Sequence, residues 1–192
     1  MKKLNYLLIV VVFFSMSCVN STDSARTWTE KDGVIRFSVI SDSTTGKQWI
    51  ARLESKGFRI SDYAKSVLRS KSFKPTSGII YEVTILRGEL FSDNERTTRN
   101  IREEAKKRSL STPNAEIVCL IREKFSDKEL ETMELYYIVT MHNSIKDSNG
   151  DPRLLDIDRL VSGSWLYSCY DGPGCGWGRG RGFAFISQVS GF

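Results

Sequence analysis

The chain carries a single histidine, His142, among its 192 residues, and that scarcity excludes a large body of chemistry. Zinc sites built from two or three histidines, and the HExxH arrangement, are ruled out. No GxSxG turn marks a serine nucleophile. A P-loop, a Rossmann glycine fingerprint and a CxxC pair are missing too, so nothing points to nucleotide binding or thioredoxin-like redox chemistry. There is no internal repeat, and no apolar run approaches the roughly 20 residues that a membrane-spanning helix needs. The residues call for no metal and no cofactor.

What is present starts at the N-terminus. Lys2 and Lys3 precede an apolar run over residues 7–14, and Ser15-Met16-Ser17-Cys18 follows. A basic segment, a short apolar core and small residues at a cut are the physical order of an export signal. The segment resembles the signal of bacterial lipoproteins, in which a lipobox ends in a cysteine that is diacylated and becomes the first mature residue. Ser17 before Cys18 fits that pattern, and the polar stretch Asn20-Ser21-Thr22-Asp23-Ser24 suits a tether. Ser15 departs from it, since leucine is usual there. Ser15-Met16-Ser17 also satisfies ordinary signal cleavage, which would leave Cys18 a plain thiol in a secreted or periplasmic protein. The resemblance implies residues 1–17 as signal peptide, lipidation of Cys18, and a membrane partner reached through that lipid. The reading divides the rest into a flexible tether over residues 18–33 and one globular domain over residues 34–192.

Charge and cysteine content bound the mature domain. Removing Lys2 and Lys3 leaves 26 of the 28 basic residues against 23 acidic ones, a mild excess that does not indicate nucleic acid. With Cys18 set aside, Cys119, Cys169 and Cys175 remain. Cys119 lies in the apolar run Ile117-Val118-Cys119-Leu120-Ile121 and reads as a small buried hydrophobe. Cys169 and Cys175 flank the turn-forming Tyr170-Asp171-Gly172-Pro173-Gly174, so in an oxidising compartment they form a candidate disulfide.

Periodicity predicts an α+β fold, with one mixed or largely antiparallel sheet and helices packed on it. Alternating Ile35, Phe37 and Val39 give a strand over residues 34–40. Ser43, Thr44 and Thr45 offer caps to a helix carrying Trp49, Ile50 and Leu53, and Ser61 caps a second carrying Ala64, Val67 and Leu68. A central strand is expected over residues 79–86 and a charged helix over 95–108, capped by Asp93 or Asn94. Residues 115–121 read as another strand. Ser126 and Glu129 make a capping box for a short helix, and residues 135–141 form a third core strand. Residues 165–170 and 182–188 are expected to pair as a C-terminal β-hairpin around a glycine-rich loop.

Three places invite a functional reading. His142 ends a predicted strand and, as general base, would draw on Asp147, Asp151, Asp156 or Asp158 for orientation; this is the hydrolase alternative, with His142, Asp147 and Asp151 as its catalytic residues. The run Asp147-Ser148-Asn149-Gly150-Asp151 has the alternating oxygens of a calcium loop, with Asp158 at the twelfth position. Pro152, however, stands where such a loop needs glycine, and Asn-Gly suits a plain turn. Last, Gly176-Trp177-Gly178-Arg179-Gly180-Arg181 interleaves glycine with arginine and tryptophan. In an exported protein this favours an envelope protein or a glycan over nucleic acid, with Trp177, Arg179, Arg181 and Tyr170 as binding candidates.

Overall fold

A computed structural model describes residues 27–191. The signal segment, Cys18 and the first part of the expected tether lie outside the described residues. The fold begins earlier than Val34. Trp28 is buried, and β1 (Thr29–Lys31) turns through Asp32 and Gly33 into β2 (Val34–Asp42). Both turn residues have positive φ, 52° and 71°, the geometry a two-residue hairpin requires.

Next come α1 (Gly46–Ser55), β3 (Arg59–Ile60), α2 (Asp62–Arg69) and β4 (Ser77–Arg87). The Thr45 and Ser61 side chains accept the backbone N–H groups of Gln48 and Ala64, so both caps fall where the sequence places them. After a 3₁₀ turn at Gly88–Leu90, α3 (Thr98–Lys107) begins later than expected, with Thr97 rather than Asp93 or Asn94 as its cap. Residues 115–121 are not a strand: α4 (Ile117–Lys124) is helical, and every side chain from Ile117 to Arg122 is buried. A helix enclosed on all sides shows no polar stripe, so its uninterrupted apolar run mimics a core strand. The Ser126–Glu129 capping box opens α5 (Asp127–Thr132) as predicted.

The remaining elements are β5 (Tyr137–Thr140), β6 (Ile145–Lys146), β7 (Pro152–Leu160), β8 (Gly163–Tyr170) and β9 (Arg181–Gly191). The sheet runs β1-β2-β4-β9-β5-β7-β8-β3, with β6 added beside β7. It is mixed, because β5–β9 and β3–β8 are parallel and the other pairs antiparallel. The expected pairing of residues 165–170 with 182–188 is not made. β8 forms its hairpin with β7, while β9 returns to the middle of the sheet between β4 and β5. The protein is α+β, with helices on the sheet.

Alternation on the strands sends side chains to two cores. Ile35, Phe37, Val83, Ile85, Ile157 and Leu166 pack with residues of α1, α2, α4 and α5 on one face. Val34, Leu86, Val139, Met141, Leu154, Phe183 and Phe185 meet Ile101 and Ala105 of α3 and Trp177 on the other. The glycine-rich segment therefore belongs to the second core.

Candidate functional site: the glycine-rich loop, α3 and a buried carboxylate pair

The segment between β8 and β9 is held by backbone bonds along its length. The first N–H groups of α3, at Thr98 and Arg99, donate to the Cys175 and Pro173 carbonyls at 3.1 Å each. These are the donors that a helix start leaves without intrahelical partners, and the loop supplies the acceptors. Trp177 N–H donates to the Arg96 carbonyl, and the Arg96 guanidinium, itself buried, donates back to Trp177 and to Gly88 and Phe91. Gly88 is required here: a Cβ would come within 2.5 Å of the Arg179 carbonyl oxygen.

This clamp corrects the expectation for Trp177. Its ring is 9% exposed, its indole N–H donates to Thr98 Oγ1 at 3.0 Å, and it packs edge-on to Phe183. It anchors the core rather than stacking on a ligand. Arg181 also turns inward, its guanidinium 4.4 Å over the Tyr137 ring and 5.4 Å from the Trp177 ring. Arg179 stays exposed beside Glu89, and Tyr170 is 51% exposed.

Beneath Arg181 lies a pair that the sequence reading named only as helpers of His142. Asp156 and Asp158 are two apart on β7, so both point to the second core, and both are buried. Tyr137 and Trp165 stand across from Asp158, and Tyr167 across from Asp156. Burial raises the Asp156 pKa, and the neighbouring charge of Asp158 raises it further, to about 8, against a bond from the Cys169 thiol and the attraction of Arg181. Burial raises Asp158 as well. Two carboxyl groups this close cannot both ionise cheaply, so the pair shares a proton near neutrality. The sequence signal was available: acidic residues at period two inside the apolar strand Leu154-Leu155-Asp156-Ile157-Asp158 put both on one face.

Cys169 is a free thiol, as are Cys175 and Cys119. The candidate disulfide is therefore not formed here. Cys169 sits near the end of β8 opposite Leu154 with its thiol engaged by Asp156, while Cys175 is held in the loop by its N–H to the Gly172 carbonyl. Burial pushes the Cys119 and Cys169 thiols well up, away from nucleophilic thiolate.

His142 is buried at 1% exposure, with both ring nitrogens committed to backbone. Nε2 accepts from Leu155 N–H at 3.0 Å, and Nδ1 lies 2.7 Å from the Asn143 carbonyl, which fixes the Nδ1–H tautomer. Burial lowers its pKa to about 4. The structure does not bring it to Asp147 or Asp151. Asp147 instead accepts from the Asn149 and Asp151 amides and from Arg153 Nε at 2.6 Å. Burial raises the Asp147 pKa, but Arg153 and the amides outweigh it and leave the group below its ordinary value. The acidic run is a turn, and no group of three or more metal-ligating side chains occurs among the described residues. A proton NMR titration checks the imidazole. Its signals should stay at their neutral positions from about pH 8 to about pH 5, whereas a midpoint near the ordinary 6.5 would contradict this packing.

The open chemistry is on the outer side of the clamp. Arg99, Arg102 and Lys106 stand three and four apart on α3, facing Asp171 and Pro173 across a groove of about 260 Å³ that Thr98 and Glu103 complete. Arg102 donates to Asp171 at 3.0 Å and to the His142 carbonyl at 3.1 Å, which ties helix, loop and strand end together. Arg99 and Lys106 are exposed and make no ion pair among the described residues. The sequence marks this helix only as charged. It gives no sign that the loop supplies an opposite wall. Comparison with protein-family models, curated proteins and solved structures finds no match for this chain.

Proposed function

We propose that the chain is an exported domain of the bacterial cell envelope, lipid-anchored through Cys18, that binds an anionic envelope glycan and does not turn over a substrate. The observation that carries the binding reading is the groove between α3 and the glycine-rich loop. It presents two unpaired cations beside an anchored third, a spacing suited to phosphate or carboxylate groups along a polymer. Binding is favoured over the hydrolase alternative because both His142 ring nitrogens are engaged by backbone and the acid pair is buried. Location rests on the N-terminal segment alone: Ser17-Cys18 after a short apolar run.

Two measurements test the two halves. Palmitate labelling in a bacterial host should mark the wild-type chain and not Cys18→Ser; equal absence of label in both removes the anchor. Cosedimentation of the mature chain with purified cell-wall glycan should fall about tenfold or more in Arg99→Ala plus Lys106→Ala, each lost charge-assisted bond being worth roughly 1.5–3 kcal/mol. Undiminished retention sinks the groove as the contact.

A further inference from the structure

We infer that the outer edge of β2 is a second binding surface, one that takes up an extended segment of a partner protein as an added strand. This rests on a different part of the molecule from the α3 groove. β1 covers β2 only as far as Arg36, through the pairs Thr29–Arg36, Glu30–Ile35 and Lys31–Val34. Among the described residues no strand or bridge lies along the outer side of residues 37–42. The Gly33 carbonyl accepts from Arg87 on β4, so N–H groups at Val34, Arg36, Ser38 and Ile40 point the other way, outward. Ser38 and Ile40 thus offer donors and acceptors to a further strand.

Such an edge is usually blocked by a charge, a proline or a bulge on the strand itself. From Phe37 to Ser41 there is neither a charged residue nor a proline, and the register shift between Ile40 and Asp42 sets Gly78 and Ile79 of β4 against Ser41 alone, which puts the extra residue on β4 and not on the edge strand. Ile40, in the part of β2 that β1 leaves uncovered, is 53% exposed. Beside the edge runs a groove of about 590 Å³, lined by Val39, Ile40, Ile80 and Leu120 and bordered by Glu82 and Lys124. Glu82 accepts the Ser38 hydroxyl at 2.6 Å and has no cation partner among the described residues.

These features specify the occupant. Residues facing each other across a ladder share a sheet face. A basic residue opposite Ser38 therefore reaches Glu82, an apolar one opposite Ile40 covers Ile40 and Ile80, and an apolar one opposite Val39 fills the hollow toward Leu120. A second copy fits poorly: antiparallel pairing about Ile40 would put Asp42 of one copy opposite Ser38, beside Glu82, and would set one hollow against another. The partner is an extended segment with two adjacent apolar residues followed by a basic one, bound antiparallel.

The test is an NMR titration of the mature chain with the end-blocked hexapeptide Thr-Thr-Val-Val-Lys-Thr. Saturable shifts confined to the amides of Ser38, Ile40 and Leu120 are expected. Ile40→Pro removes one outward donor and should weaken binding about fivefold to tenfold, as for the loss of one backbone hydrogen bond. Glu82→Gln, which keeps the strand intact, should abolish the preference for this peptide over one with glutamine in place of lysine. Absence of saturable shifts, shifts along residues 167–170 at the opposite edge, or affinity and preference unchanged in the variants would overturn the inference. So would a dimer of the free protein that Ile40→Lys dissociates.

Discussion

Asp156→Asn should raise the stability of the domain at pH 8 by about 2 kcal/mol or more and level its fall with rising pH above about 6.5. The sign follows from proton binding. Asp156 holds its proton in the fold up to about pH 8, while the unfolded chain releases it near the ordinary value of 3.8. Between those limits the folded state binds more protons, so stability falls as pH rises, by roughly 1.4 kcal/mol per pH unit. Asp158 and Glu116, both raised by burial, act in the same direction. His142 opposes them. Its folded value of about 4 lies below the ordinary 6.5, so its contribution is lost as pH falls through that interval. Wild type should therefore fall only gently up to about pH 6.5, where His142 offsets most of the loss, and decline more steeply from there to about pH 8.

Asparagine supplies the neutral shape without the proton. Its amide can donate to Asp158, which is then free to ionise beside Arg181. The expected profile for Asp156→Asn rises to about pH 6.5 and then stays level, as read by urea unfolding at several pH values. A variant profile that declines like wild type above pH 6.5 would mean that Asp156 carries no proton there.

Trp177→Ala should cost about 3–5 kcal/mol, the usual range for emptying a buried indole site. The loss has identifiable parts: packing on Phe183, the bond to Thr98 and the ring beneath Arg181. Arg179→Ala, two residues further along the same loop but exposed, should change stability by less than about 0.5 kcal/mol. Equal small effects would show that the loop does not anchor the second core. Weak glycan retention in Trp177→Ala would follow from a displaced groove wall, so only the Arg99 and Lys106 substitutions report on contact.

Local signals were the legible part of the fold. Thr45, Ser61 and the Ser126–Glu129 box act within one turn of chain, and the alternation of Ile35, Phe37 and Val39 describes a strand with one buried face. What depended on distant partners was not legible. The apolar run at α4 lacks a polar stripe because the helix is enclosed, and β9 pairs with β4 and β5 rather than with β8, its neighbour in sequence. The β7 strand escaped notice because Asp156, Asp158 and Arg159 make its C-terminal half look like a polar loop.

The site shows the same division. His142, Trp177 and Arg181 were conspicuous as residue types, yet burial turned two of them into core groups and made the third a bridge to Asp156. The cations on α3 looked like ordinary solvated charge. The loop carbonyls of Pro173 and Cys175, bonded to the helix start, and the Arg102–Asp171 pair place a wall opposite Arg99 and Lys106.

Calorimetric titration of the mature chain with inorganic polyphosphate, at two salt concentrations, tests the central claim most directly. The account predicts saturable binding that weakens with salt, drops about tenfold or more in Arg99→Ala plus Lys106→Ala, and is retained in Arg179→Ala. Binding of equal strength in the double variant, with its fold intact, would contradict it.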